Sequence, residues 1–302
     1  MLIEKLRTHK ERLAILCLAL AAASIWSLVL ARKPEALTVT FLDVGQGDSA
    51  FIRTPSGRTI LIDGGGRPEQ DDTDIIGMKV IEPFLRRQIV NRIDIVVLTH
   101  PHDDHIQGLI PVLRDFRVGM VLDPGIPHGS ESYQRFLSMI EARRIPYRRA
   151  VRGQVISFGD GVEMQVLHPP PGLLATDDEN DDSAVLRFTY GRSAVLFTGD
   201  VGEDAESDIL ASGADVRSDV LKVGHHGSSS SSSPAWLDAV GPRLAVISVG
   251  ASNPFGHPSP DLLARLSSCK VRVLRTDQCG AVTLTVSRNG YAFRTCIPSK
   301  AD

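Results

Sequence analysis

Thiol chemistry has little to work with in this chain. Its 302 residues contain four cysteines, Cys17, Cys269, Cys279 and Cys296, and none stands in a Cys-x-x-Cys pair, which excludes zinc knuckles and thioredoxin-type redox sites. Cys279 and Cys296 flank an apparent hairpin from Ala281 to Thr295, so a disulfide between them is open in an oxidising compartment. A basic excess is missing as well. The formal charge is −3, so nucleic acid, if handled, is not gripped by a strong overall positive field. There is no internal repeat of roughly 20 to 50 residues. No Pro/Gly-rich linker divides residues 37–296, and the serine run Ser228 to Ser233 is too short to act as one. With 42% hydrophobic and 23% charged residues, the chain is also neither disordered nor collagen-like, and it can bury a large core.

One long uncharged run is present. Leu13 to Ala31 is 19 residues, enough at about 1.5 Å per residue to cross a hydrocarbon core of about 30 Å. Lys5, Arg7, Lys10 and Arg12 precede it against Glu4 and Glu11, which favours a cytoplasmic N-terminus, although Arg32 and Lys33 on the far side weaken the asymmetry. Ala21-Ala22-Ala23 resembles a secretory cleavage site, but the apolar run continues past it through Trp26 and Leu30. The expectation is an uncleaved single-pass anchor in the cell membrane, with residues 1–33 as cytoplasmic N-terminus and anchor and residues 34–302 as an extracytoplasmic domain. Removing the six basic and two acidic side chains of residues 1–33 leaves 27 basic against 34 acidic, so that domain is acidic, at −7. Arg143, Arg144, Arg148, Arg149 and Arg152 form one local run, and Asp177, Asp178, Glu179, Asp181 and Asp182 another. Both read as solvated surface, with a local phosphate track as the alternative for the arginines.

Short β-branched segments alternate with segments of helical period, and the mixture predicts a layered α/β domain with a mixed sheet or two stacked sheets. Strands are expected at Leu37 to Leu42, Ala50 to Arg53, Thr59 to Ile62, Ile93 to Thr99, Val118 to Leu122, Val162 to Leu167, Val185 to Tyr190 and Ala194 to Thr198. Five more are expected at Asp219 to Val223, Leu244 to Val249, Val271 to Arg275, Ala281 to Val286 and Tyr291 to Thr295. Helices are expected at Asp74 to Gln88, Ile106 to Phe116, Glu131 to Arg144, Gly202 to Ser212, Pro234 to Val240 and Pro260 to Ser268.

Three of these strands end in metal-capable side chains. Ile95 to Thr99 runs into His100-Pro101-His102-Asp103-Asp104-His105, Ala194 to Thr198 into Gly199-Asp200, and Val220 to Val223 into Gly224-His225-His226. Ligands gather beyond the carboxyl ends of strands in layered α/β folds, so the clusters can share one pocket. Three of nine histidines and two aspartates within six residues have no packing rationale. Imidazole and carboxylate without thiolate suit a borderline divalent ion, and the set is too large for one tetrahedral centre. Two ions with a bridging carboxylate make a shared hydroxide available near neutral pH, and the chemistry this supports is hydrolysis.

His100-x-His102-x-Asp104-His105 followed by Thr198-Gly199-Asp200 resembles the signature of the metallo-beta-lactamase superfamily. Phe41 to Ser49, Leu61 to Gly65, Leu221 to Ser228, Ser248 to Gly250 and Gly256 to Pro258 extend the likeness over about residues 37 to 290. Within the superfamily they are similar to the extracytoplasmic domain of ComEC-type DNA internalisation proteins. The resemblance implies a four-layer αββα sandwich and two divalent ions, zinc or manganese. By position, His100, His102 and Asp200 hold one ion, and Asp104, His105, Asp200 and one of the adjacent His225 and His226 the other; the sequence leaves the choice between the two open, and the expectation adopted is His225 on the metal, with His226 facing substrate and, like Asp104, catalytic. A middle histidine common in the superfamily is missing, since His128 and His168 lack its usual surroundings. Asn180 and Ser183 represent an Asn-x-x-Ser segment able to hydrogen-bond substrate. Asp63 is expected to orient a ligand histidine, and Asp43 and Asp48 to support the site or simply close turns. Lys222 on its apolar strand needs a carboxylate or a phosphate and is a substrate-binding candidate through the latter, and His257 is a candidate to protonate a leaving group.

The function implied is a membrane-anchored two-metal phosphodiesterase or nuclease linked to DNA uptake in competence. DNA would be its substrate, and a separate multispan membrane channel its partner, since one span cannot form a channel. The alternatives are a metallo-hydrolase of small phosphoesters or other small substrates, and a non-catalytic DNA-binding component of an uptake assembly.

Overall fold

The computed structural model describes residues 14–24, 26, 36–67, 74–172 and 176–298. The chain divides into Met1–Glu35 and Ala36–Asp302. In the first unit residues 14–24 are helical with exposed side chains. Apart from Trp26, the rest of the expected span lies outside the described residues, among which no helix is long and apolar enough to cross a membrane.

The second unit is built on two sheets. The first has the spatial order Gly290–Thr295, Val282–Ser287, Leu37–Phe41, Ala50–Arg53, Thr59–Ile62, Ile95–Val97, Val121–Asp123 and Tyr147–Arg149. Pairing is antiparallel up to Thr59–Ile62 and parallel beyond it. The second runs Arg272–Arg275, Leu244–Ile247, Val220–Lys222, Ser193–Phe197, Val185–Tyr190, Val162–His168 and Val155–Ser157, parallel over its first four strands and antiparallel thereafter.

Alternation along each strand decides which layer a side chain joins. Ile52, Ile60, Ile62, Ile95 and Val97 of one sheet meet Val195, Phe197, Val220, Leu244 and Val246 of the other in a central core. Phe51, Leu61 and Val96 point outward and pack with Leu85, Leu109, Leu113 and Phe136. Leu196, Leu221, Ala245 and Ile247 do the same on the opposite face with Ile209, Trp236, Leu237 and Leu262. Helices therefore cover both outer faces of a sheet pair, the α/β layering that the sequence predicts.

Helix starts obey local chemistry. Ser130, Ser233 and Ser259 each accept a hydrogen bond from the first turn of Glu131–Ala142, Pro234–Val240 and Pro260–Ser268, and the latter two have proline at the first position. The helix expected over Ile106 to Phe116 is instead two, Asp103–Ile106 and Leu109–Asp115. The break falls where Gly108 passes Gly64 so closely that a Cβ would lie 2.0 Å from the Gly64 carbonyl oxygen. Asp74 to Gln88 likewise resolves into a π-helical turn, Gly77–Ile81, leading into Glu82–Arg87. Tyr147–Arg149 and Val155–Ser157 are strands that the sequence does not announce. They are largely exposed edges, so neither carries a buried alternation to read.

Candidate metal centre

Loops at the carboxyl ends of the parallel strands bring the clusters together. Asp63 follows Thr59–Ile62, His100 to His105 follow Ile95–Val97, Asp200 follows Ser193–Phe197, and His225 and His226 follow Val220–Lys222. A glycine makes room for one of them: Gly47, at φ 135°, lies where a Cβ would meet the Asp104 carbonyl oxygen at 2.4 Å.

Asp200 Oδ2 is the meeting point. It lies 3.2 Å from His105 Nε2, 3.3 Å from His226 Nε2 and 4.0 Å from His100 Nε2. His226 Nε2 is also 3.1 Å from Asp104 Oδ2, and His100 Nε2 is 3.0 Å from His102 Nδ1. The outward ring nitrogens are occupied. His105 Nδ1 donates to Asp63 Oδ2 at 2.9 Å and His226 Nδ1 to the Ser248 carbonyl at 3.1 Å, which turns both Nε2 atoms inward.

Burial works against charge on His105 and His226, yet the facing carboxylates outweigh it: Asp200 and Asp63 hold His105 well above the usual imidazole range, and Asp200 and Asp48 do so for His226. His100, buried beside His105, is pushed well below that range. Asp200 is buried but held far down by His226 and His105, and half-buried Asp104 by its hydrogen bond to His226.

The donor set fits divalent ions. His105 Nε2, though close to Asp200, makes no hydrogen bond, and Asp200 Oδ1 is buried without a partner. A buried imidazole nitrogen and a buried carboxylate oxygen left without hydrogen-bond partners in one cluster are arranged as ligands are. His100, His105 and Asp200 form one group able to hold an ion, and Asp104, His105 and His226 another.

The adjacent histidines are placed opposite to the sequence expectation. Both adopt left-handed backbone, φ 48° at His225 and 51° at His226, and the turn sends their rings apart. His226 enters the cluster, while His225 turns to His257, 5.5 Å between ring centroids. Lys222 meets a carboxylate rather than a substrate phosphate: it is buried behind the site with Nζ 2.6 Å from Asp48 Oδ2. Asp48 Oδ1 in turn faces His226 Nδ1 at 3.3 Å, so Asp48 and Asp63 both stand behind ligand-type histidines. Ser183 is fully buried, its Oγ accepting from the Asp200 amide at 3.1 Å, so it braces that aspartate rather than meeting substrate. Asn180 donates to Asp178 Oδ1 at 2.8 Å. Asp43 is exposed and closes a turn to Gly45 at 3.4 Å, outside the cluster.

His257 is held down to about 4 by burial and then by His225, so near neutral pH it is uncharged, with Nδ1 buried and unpartnered. An imidazolium able to protonate a leaving group is not what this environment favours; a neutral hydrogen-bonding ring is. His168 is buried on the Ser183 carbonyl at 3.0 Å, a structural placement. Among the arginines, Arg143 binds the Arg114 carbonyl, Arg149 the Pro124 carbonyl, and Arg152 the Leu167 carbonyl and Asp208. Cys279 and Cys296 are free thiols.

Sequence reasoning missed His128 and Glu179, which meet His102 at the rim. One signal for the first of them is present in the chain. His128 follows Val121–Asp123 as the other clusters follow their own parallel strands.

Comparison with known proteins agrees with this geometry. Residues 42–251 match the model of the metallo-beta-lactamase superfamily. The chain is 32% identical over 256 residues to ComE operon protein 3 of Bacillus subtilis, covering 81% of this chain and 32% of that protein. It is 32% identical over 264 residues to competence protein ComA of Neisseria gonorrhoeae, covering 85% of this chain and 34% of that one. It thus spans about a third of the length of these relatives. Among solved structures, CmlA, a diiron beta-hydroxylase from Streptomyces venezuelae, superposes with a TM-score of 0.54 at 17% identity, over 84% of this chain and 55% of that one, a likeness of fold. Sheet order, buried ligand-type cluster and family match converge, and the chain belongs to the metallo-beta-lactamase superfamily.

Proposed function

We propose that this chain is a membrane-anchored hydrolase that uses two divalent ions, zinc or manganese, to cleave phosphodiester bonds in DNA during uptake. A separate multispan membrane protein would be its partner. The observation that carries this reading is the convergence of His100, His105, His226, Asp104 and Asp200 on one buried point without a thiolate. His100, His102 and Asp200 would hold one ion, and Asp104, His105, Asp200 and His226 the other. Ions held there supply water activation and charge stabilisation at a phosphoryl oxygen.

The chain's own residues prepare that site. Asp63 and the Ser248 carbonyl fix which nitrogen of His105 and His226 faces inward, and Lys222 answers the charge of Asp48 behind them. His225 and His257 stand side by side next to His226, where a neutral His257 can orient an incoming group by hydrogen bonding. The competence names of the relatives support DNA as substrate, and the run Leu13 to Ala31 supports the anchor.

The test uses the full chain in detergent with manganese or zinc, assayed on plasmid, single-stranded DNA and bis-p-nitrophenyl phosphate beside Asp104→Ala and His226→Ala. Metal-dependent turnover lost in both variants is expected. DNA binding without turnover on any substrate would overturn the hydrolase reading. Sedimentation with membranes after an alkaline wash checks the anchor.

A further inference from the structure

His102, His128 and Glu179 meet at the rim of the site. On the two-metal reading this side of the site has three donors, His100, His102 and Asp200, against four on the other side. His102 is also the most exposed imidazole there, with its side chain 32% accessible, so neighbouring packing does little to fix its ring. Its two nitrogens have different partners. Nδ1 faces His100 Nε2 at 3.0 Å, inside the site, and Nε2 faces Glu179 Oε2 at 2.9 Å, outside it.

The proton positions are set from the far end of the cluster. The Ser130 amide donates to His128 Nδ1 at 3.3 Å, so that nitrogen is an acceptor. Ser130 Oγ lies 2.9 Å from the same nitrogen while accepting from the Tyr133 amide, so its hydroxyl proton is free to point at His128. With Nδ1 an acceptor, His128 has its ring proton on Nε2 and donates it to Glu179 Oε2 at 3.0 Å. Glu179 Oε2 is thus the common acceptor of two imidazole N–H groups, 2.9 Å from His102 Nε2 and 3.0 Å from His128 Nε2. His102 then has its proton on Nε2 and its lone pair on Nδ1, aimed inward. This is the relation of His105 to Asp63 with the two nitrogens exchanged.

We propose that Glu179, clamped by His128, is a positioning residue that fixes His102 as an Nδ1 donor on the side of the site with the smaller donor set. The inference rests on the two-metal reading and adds residues outside its ligand set. A carboxylate on the outer nitrogen of a ligand imidazole both orients the ring and strengthens its donor atom. Direct coordination by His128 is the rival arrangement. It is disfavoured because the Nδ1 of His128 is already engaged by Ser130 and its Nε2 proton by Glu179.

The experiment titrates the metal-free full chain with Co(II), tracking visible absorption and competition with a chelating dye, for wild type, Glu179→Ala, Glu179→Gln and His128→Ala. Circular dichroism of each metal-free variant checks the fold. Wild type should bind two ions. In Glu179→Ala one of them should weaken about 10- to 100-fold while the other keeps its affinity and spectrum. Glu179→Gln, which keeps an acceptor oxygen but not the charge, should fall between. His128→Ala should weaken the same ion less, with its absorption band keeping the intensity of a site that has lost no imidazole. Unchanged affinities in Glu179→Ala would overturn the proposal, as would loss of an imidazole ligand in His128→Ala. Failure of wild type to bind two ions would instead remove the two-metal reading beneath it.

Discussion

Lys222 Nζ lies 2.6 Å from Asp48 Oδ2, with both side chains less than one-tenth exposed, directly behind His226. A lysine on a strand otherwise made of apolar residues is costly to bury unless an opposite charge goes with it. Asp48 is the residue that meets this need, and its own carboxyl, penalised by burial, is drawn below the usual range by Lys222 and His226. Removing one partner orphans the other. Lys222→Met should therefore destabilise the metal-free chain by about 3 to 5 kcal/mol in urea unfolding. The double variant with Asp48→Asn should lose clearly less than the sum of the single changes. Additive losses would mean that the pair is not coupled.

The opposite directions of His225 and His226 make a second prediction. His226→Ala removes a ring aimed at Asp104 and Asp200, so it should lower bound metal from two ions toward one by native mass spectrometry. His225→Ala should keep both ions. If it changes turnover, it should do so with metal content intact. Metal loss in His225→Ala and not in His226→Ala would reverse the assignment.

Much of the fold and of the site is legible in the sequence because buried parallel strands are continuous apolar runs. Ile95–Val97, Ser193–Phe197 and Val220–Lys222 stand out, and the loop residues directly after each of these strands make up the site. The features that escape a sequence reading depend on direction rather than composition. His225 and His226 are chemically identical neighbours, and only the left-handed backbone at both decides which ring turns inward. Lys222 and Ser183 read as facing substrate because a polar residue beside ligands looks exposed in one dimension, yet both are buried and brace the ligands from behind. Glu179 is hidden in an acidic run, where a carboxylate that meets two imidazoles cannot be told from exposed Asp177 and Asp178 or from buried Asp182.

The serine loop after His226 is fastened by Glu206, which accepts from the Ser232 amide and from the Ser233 amide at 2.9 Å. Burial raises Glu206 to about 7 from 4.5. A carboxyl raised in the folded state favours folding while protonated, so its contribution is full below about pH 4.5 and is lost as pH rises through about 7. At roughly 1.4 kcal/mol per pH unit, that loss is about 3 kcal/mol. Unfolding free energies of wild type and Glu206→Gln should diverge over this window, the variant lacking the fall. Parallel curves would show that Glu206 titrates normally.

Asp123 holds the strand end from which the His128 loop departs. The hydroxyls of Tyr133 and Tyr147 both donate to its Oδ2 at 2.8 Å, and the Gly125 amide donates to its Oδ1 at 3.1 Å. Burial followed by the Asp123 charge pushes both phenols well above the usual tyrosine range, so they stay donors at any physiological pH. Asp123→Ala deprives two hydroxyls and an amide of their acceptor at once and should cost about 2 to 3 kcal/mol, whereas Asp123→Asn keeps the acceptor oxygen and should cost about 1. The segment released is the one that carries His128 to Glu179, so the alanine variant should also weaken the ion on the His102 side. The ion held by Asp104, His105 and His226 should keep its affinity, because Asp63 and Ser248, which orient two of those ligands, lie outside this segment. Equal weakening of both ions in Asp123→Ala would mean that the loop acts through general loosening of the fold rather than through His128.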